Sequence, residues 1–176
     1  MPSQPKGFTL IEIIITIIVA IIFFTLALPA FQNFLTTYQL KSTVQIFYQD
    51  LKWAQALALK NQAPVYVNVV TGDTWCYGIS DSNNNCNCST SPTSCTVAGT
   101  QKIVVNTSGV FAGTTVTEAA LSNSQLFYFE ALHGSPNLIN TWTFTNNSLS
   151  IGISVNSLGR ITLCSTTIQG YDNACS

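Results

Sequence analysis

Charge is scarce in this chain. Only 7% of its 176 residues are Asp, Glu, Lys or Arg, and the formal net charge is −1. A soluble globular domain has about 25%. Neutralising nucleic-acid phosphates takes clustered Lys and Arg, so the composition argues against a general polyanion binder. It fits poorly with a cytoplasmic enzyme kept in solution by surface charge. Disorder is disfavoured as well, because disordered chains are charged and poor in apolar residues, whereas 47% here are hydrophobic. Histidine occurs once, as His133, in the loop-like stretch from Ala131 to Pro136. One histidine among many serines does not make a Ser–His–acid site. There is no Gly-rich phosphate loop and no His-Glu-x-x-His pair. The sequence therefore reads as non-enzymatic, with no catalytic, cofactor-binding or metal-binding residue to nominate. Its length suits one globular domain.

Apolar residues are concentrated at the N-terminus. Met1 to Gly7 is short and polar, MPSQPKG, with one cation, Lys6. From Phe8 to Leu28 runs FTLIEIIITIIVAIIFFTLAL, 21 residues, roughly 32 Å as a helix and enough to cross a bilayer. A secretory signal has a shorter apolar region, about 7–15 residues, closed by a small-residue cleavage site. No such site closes this run. Lys6 lies on the flank that positive-inside bias keeps cytoplasmic, which places the rest of the chain outside. Glu12 is the anomaly, the only charge between Lys6 and Lys41. An ionised side chain at the centre of a membrane helix costs about 2.5–3.5 kcal/mol, and less near an end. Glu12 either snorkels to the interface or meets a cationic partner inside the membrane. Its surroundings favour the second.

Those surroundings are Lys6 to Glu12, KGFTLIE. They resemble the class III leader junction of type IV prepilins and type II secretion pseudopilins. The resemblance implies that a prepilin peptidase cuts between Gly7 and Phe8, and that Phe8 becomes the N-methylated first residue. Glu12 then becomes the fifth mature residue, the family's assembly glutamate. The physics agrees: the new amine on Phe8 is a cation at the depth of a neighbour's Glu12, so two costly charges compensate as subunits dock. Gly7, lacking a side chain, suits a cleavage position that needs close backbone approach. Pro29 matches a proline found in many pilin stems; within a helix it removes a backbone hydrogen bond and favours a kink.

Beyond Pro29, Leu40, Val44, Phe47, Leu51, Ala54 and Ala58 recur at spacings of 4, 3, 4, 3 and 4. This is one face of an amphipathic helix, expected to pack on the chain's own sheet. No Gly or Pro interrupts residues 31–62, and Pro64 sets the end. Lys41, Lys52 and Lys60 fall off the seam. So do Tyr48 and Trp53, which read as packing or filament contacts. The remainder reads as β structure. Val65–Val70 and Trp75–Ile79 form a hairpin across a Gly-containing turn. Further strands are expected at 102–105, 126–132, 141–145, 149–155 and 159–164, about six or seven in all. One long helix with antiparallel sheets packed on it is an α+β arrangement.

Six cysteines in an Asn/Ser/Thr-rich chain suggest an oxidising compartment. Cys76, Cys86, Cys88 and Cys95 are spaced C-x9-C-x-C-x6-C, which does not match paired CxxC knuckles, and no histidine is near. Disulfides are the expectation. Cys164 and Cys175, near the C-terminus, are expected to pair with each other, a closure of roughly 3 kcal/mol in the chain-entropy model. Cys86–Cys88 is sterically poor, so Cys76 takes Cys86 or Cys88, and sequence does not choose between them.

A second resemblance covers most of the chain. The stem, the helix to about residue 62, the hairpin at 65–79 and the ending I-x-V-x-x-x-G-R-I-T-L-C, here Ile153–Cys164, are similar to the GspH/FimT-like (H/T/U-type) minor pilins and pseudopilins. That resemblance implies a pilin-like fold, two β-sheets on a long helix. The implied organisation is a leader at 1–7, a transmembrane and filament-core helix at 8–35, and a periplasmic globular domain at 36–176. Some T-type members bind DNA through Gly-Arg-x-Arg. Here Gly159-Arg160-Ile161-Thr162 lacks the second arginine, and from Ala30 onward five basic residues face six acidic ones. Arg160 is thus a weak DNA contact, and DNA is a disfavoured partner; a salt bridge or a strand-end cap would equally explain it.

The expectation is a minor pilin that primes or caps a type IV pilus. The alternatives are an H-type minor pseudopilin of a type II secretion tip and a DNA-uptake pilin. The implied partners are the prepilin peptidase, other minor and major pilins or pseudopilins met through the N-terminal helix, and the bacterial inner membrane before assembly. The implied destination is the pilus or pseudopilus, near its tip.

Overall fold

The structure is a computed structural model that describes residues 7, 9–81, 85–106, 109–119 and 124–175, without the side chains at 26, 28–30, 110, 124 and 125. Its first element is helix α1, Leu10–Asn61. Thr9 starts it. The Glu12 N–H donates to the Thr9 carbonyl at 3.1 Å and to Thr9 Oγ1 at 3.4 Å. A Thr three residues before a Glu is the sequence of a capping box. Glu12 in the first turn and Lys60 in the last both complement the helix dipole. The helix continues through position 29. It ends where Gln62 turns to φ 52° and the Ala63 N–H donates to Ala58 O at 3.4 Å. That is the six-to-one bond of a Schellman ending.

The chain divides into two compact units, Met1–Thr36 and Thr37–Ser176. Among its described residues the second contains ten strands: β1 Val65–Val70, β2 Cys76–Ser80, β3 Thr96–Val97, β4 Thr100–Gln101, β5 Ile103–Val105, β6 Thr115–Glu118, β7 Ser124–Phe129, β8 Asn140–Asn146, β9 Leu149–Val155 and β10 Ile161–Cys164. They make two four-stranded sheets, ordered β5-β2-β1-β7 and β10-β9-β8-β6, and a two-stranded ribbon, β3-β4. Every pairing between strands is antiparallel. Gly72, in the β1–β2 turn, exchanges two backbone hydrogen bonds with Val116 of β6 and so links the two large sheets. Its φ of 120° suits a residue without a Cβ.

The helical seam works as its spacing requires: Leu40, Val44, Phe47, Leu51, Ala54 and Ala58 are all buried. Phe47 anchors it. Its ring centroid lies 4.9 Å from that of Tyr77 on β2, 5.6 Å from Trp142 and 5.3 Å from Phe144, both on β8. One side chain thus touches both large sheets, in the tilted and edge-on geometries that aromatic pairs prefer. Strand β8 alternates cleanly, with Trp142 and Phe144 inward and Thr141, Thr143 and Thr145 half-buried. Strand β2 does not alternate; all five residues are buried. Its outer face, where Cys76, Gly78 and Ser80 point, lies under the cysteine-rich segment after β2.

That segment carries more order than its composition suggests. It holds a 3-10 turn at Pro92–Ser94 and the ribbon strand β3. The strand expected at 126–132 stops at Phe129, and the one expected at 159–164 starts at Ile161. Strand β6 was not expected, because Thr-Val-Thr-Glu is a single alternation too short to stand out. It forms because its backbone pairs with β8.

Candidate assembly surfaces and the Arg160 loop

In the first unit, Gly7 is exposed and a Cβ there would meet nothing within 4 Å. Phe8, the other residue of the expected cleavage site, lies outside the described residues. Glu12 is exposed, and among the described residues it has no ion-pair partner. Around it the helix is apolar on every side: Leu10 is 77% exposed, Phe23 70% and even Ile14 44%. A helix that is hydrophobic all round belongs in an apolar surrounding. Its hydroxyls in the first unit are satisfied within the helix, Thr16 Oγ1 by Ile13 O and Thr25 Oγ1 by Ile22 O, both at 2.8 Å, and Thr36 Oγ1 by Gln32 O at 3.0 Å. Among the described residues no helix is long and apolar enough to cross a membrane. Pro29 lies within α1, and its side chain is not among those described.

In the second unit all six cysteines are paired, as Cys76–Cys88, Cys86–Cys95 and Cys164–Cys175. The choice for Cys76 that sequence left open is Cys88. A long-range contact goes with it: the Cys88 N–H donates to Asn68 Oδ1 at 3.1 Å, so a polar residue on β1 is buried without loss. The Cys86–Cys95 bridge lies against Gly78, where a Cβ would stand 2.5 Å from Cys95 Sγ. The third lies against Gly152, where a Cβ would stand 2.7 Å from both sulfurs. Each glycine makes room for a bridge to lie flat on a sheet.

Arg160 is exposed, and among the described residues it makes no ion pair. Its backbone closes a turn: its N–H donates to Asn156 Oδ1 at 2.9 Å, and its carbonyl accepts from Asn156 N–H at 3.1 Å. This turn is tied to the one around His133 by a residue with no signal in sequence. Gln55 Nε2 donates to Gly134 O at 2.8 Å and to Gly159 O at 2.7 Å. The two loops approach so closely that a Cβ on Gly159 would lie 2.5 Å from Gly134 O. Both glycines have positive φ, 64° and 74°. Gln55 reads in sequence as an ordinary polar helix position, since its partners are 79 and 104 residues away.

Two polar clusters complete the domain. Asp50 on α1 accepts from Tyr77 OH at 2.7 Å and pairs with Lys102 Nζ at 2.9 Å. Burial, and then the Asp50 charge, push the Tyr77 phenol far above its ordinary range. Lys102 Nζ also stands over the Trp53 ring, 5.7 Å from its centroid, so Trp53 is engaged within the domain as well as 41% exposed. On β6, burial raises the Glu118 carboxyl pKa, and the Asn140 side-chain amide that donates to Oε1 lowers it in part. Trp142 beside the carboxyl also lowers it in part, although among the described residues Glu118 Oε2 and Trp142 Nε1 are both buried with no partner at hydrogen-bond distance. Among the described residues no group of His, Cys, Asp and Glu could hold a metal ion.

The family model of the type II transport protein GspH matches residues 43–159. Two crystal structures of the type IV minor pilin FimU from Pseudomonas aeruginosa, in different space groups, share this fold. They align with a TM-score of 0.52, at 16% and 15% identity, over 80% and 78% of this chain and 97% and 100% of theirs. Identity that low bears on the fold alone. No curated protein matches the sequence.

Proposed function

The chain belongs to the family of the type II transport protein GspH, and from that premise we propose that it is a minor pilin that primes or caps a type IV pilus. The observation that carries this reading is the first unit: a helix apolar on every side with one acid, Glu12, in its first turn, unpaired among the described residues. Such a helix needs an apolar surrounding and a cation to stand beside that acid. A bundle of like helices supplies both, if each brings the new amine of a processed Phe8. Before assembly the same helix holds the chain in the inner membrane, with the disulfide-bonded domain in the periplasm. The prepilin peptidase acts between Gly7 and Phe8, and the partners are other pilins met through α1.

An H-type pseudopilin of a type II secretion tip is the alternative, favoured by the name of the family itself. DNA uptake ranks below both, since Arg160 is the one cation on its loop. N-terminal mass spectrometry of the chain purified from its own cells tests the reading. The expected species starts at methylated Phe8, and an intact Met1 would sink the proposal. Deleting the gene then separates the first two readings: loss of pili with secretion unchanged supports the pilus.

A further inference from the structure

Two of the bridges are interleaved. In chain order the first four cysteines are Cys76, Cys86, Cys88 and Cys95. The first takes the third and the second takes the fourth. Local chemistry favours another product. A chain that enters an oxidising compartment from its N-terminal side presents Cys76 and Cys86 first, then Cys88 and Cys95. Cys76–Cys86 and Cys88–Cys95 also close shorter loops than the native pairs, which span 12 and 9 positions, so closing them costs less chain entropy. Cys164 and Cys175 have no such conflict, because they are consecutive and paired. The interleaved pairing is selected by the folded sheet. The Cys88 N–H is held by Asn68 Oδ1 of β1 at 3.1 Å, and Gly78 leaves the space that Cys86–Cys95 fills. Once folded, Cys76, Cys86, Cys88 and Cys95 are each at most 5% exposed. Thiol–disulfide exchange needs access to the sulfur attacked, so rearrangement has to precede the closing of this segment over β2.

We infer that these four cysteines are a substrate of a thiol–disulfide isomerase: bridges form first between consecutive cysteines, and a dithiol enzyme converts them to Cys76–Cys88 and Cys86–Cys95. The exchange balances without an oxidant. The enzyme thiolate attacks Cys86 Sγ, the bond to Cys76 breaks, and a mixed disulfide with Cys86 forms. The released Cys76 thiolate attacks Cys88 Sγ and displaces the Cys95 thiolate. Cys95 then attacks Cys86 Sγ in the mixed disulfide and releases the enzyme thiolate. Two disulfides enter and two leave. Burial of the native sulfurs removes them from further exchange and so traps the product. The inference rests on the periplasmic placement proposed above.

The test follows the full-length chain in its own cells, with and without their periplasmic disulfide isomerase. Cells are pulse-labelled and quenched with N-ethylmaleimide, and the chain is mapped as non-reduced peptides. Uncatalysed rearrangement takes minutes to hours, so a short pulse catches misbridged chains before they rearrange or are degraded. With the enzyme, Cys76–Cys88 and Cys86–Cys95 are expected. Without it, Cys76–Cys86 and Cys88–Cys95 should replace them in most of the chain, while Cys164–Cys175 stays unchanged. Native bridges at equal yield in both strains, a different non-native pairing, or loss of Cys164–Cys175 in step with the others overturns the inference. A double variant, Cys86→Ser with Cys95→Ser, removes the interleaving. Its Cys76–Cys88 bridge should form at the same yield with or without the enzyme, and continued dependence would overturn the inference by placing the need for the enzyme elsewhere. All cysteines reduced in both strains would sink the periplasmic placement and this inference with it, whereas native bridges without the enzyme sink only the isomerase step.

Discussion

Glu118 shows how one residue sets a pH dependence. Burial holds its carboxyl pKa above the ordinary value, so the unfolded chain gives up this proton at a lower pH than the folded one. In the window between the two values the folded chain binds more protons. Stability therefore falls as pH rises through that window and is greater below it. Glu118→Gln should flatten this part of the profile in thermal melts of the full chain in detergent; an unchanged slope would show that the carboxyl is not its source. Gly152 acts through space alone. In Gly152→Ala the new Cβ would contact both sulfurs of Cys164–Cys175 at 2.7 Å, an overpacking that costs about 1–3 kcal/mol. Thiol alkylation should detect partial opening of that bridge, and a variant with an intact bridge and an unshifted melt would contradict the argument. Gly152 and Gly78 each lie under a sulfur pair carried by another segment of the chain.

At the level of elements, legibility followed periodicity. The seam from Leu40 to Ala58 was readable because six apolar residues repeat at helical spacing, and every one is buried. The seam's centre is Phe47, whose contacts with both sheets were not readable. Phe47→Ala should cost about 3–5 kcal/mol in denaturant titrations. Trp53→Ala, on the outward side of the same helix, should cost less, and an equal loss would refute this division of inner and outer faces. The capping box at Thr9–Glu12 was written in the sequence too, as Thr-x-x-Glu, but lay hidden behind the more arresting role of Glu12 as a charge in an apolar run. Short strands were the weak point. Strand β6 is four residues long and takes its conformation from β8, which begins at Asn140, well beyond its own end at Glu118, so no local signal announces it.

For the molecule as a whole, low charge bears on what the protein binds. From Ala30 onward the acids outnumber the bases, and among the described residues one cation–acid pair, Lys102–Asp50, pins the first sheet to α1. With Arg160 alone on its loop, gel shifts at low salt should show at most weak DNA retardation, unchanged by Arg160→Ala. Saturable, salt-sensitive retardation abolished by that change would reverse the order of the readings. The sequence by itself determined what depends on local order along the chain: the apolar stem with Glu12, the amphipathic seam and the α+β class, and it is the source of the leader junction and the oxidising compartment that we propose. Periodicity, composition and short motifs are properties of neighbouring residues, so they survive in one dimension. Only the tertiary structure decided that Cys76 takes Cys88, that β2 is covered on both faces, and that Gln55 ties the His133 and Arg160 loops into one surface. Those outcomes depend on which distant segments meet, and that is set by sheet register and packing against Phe47.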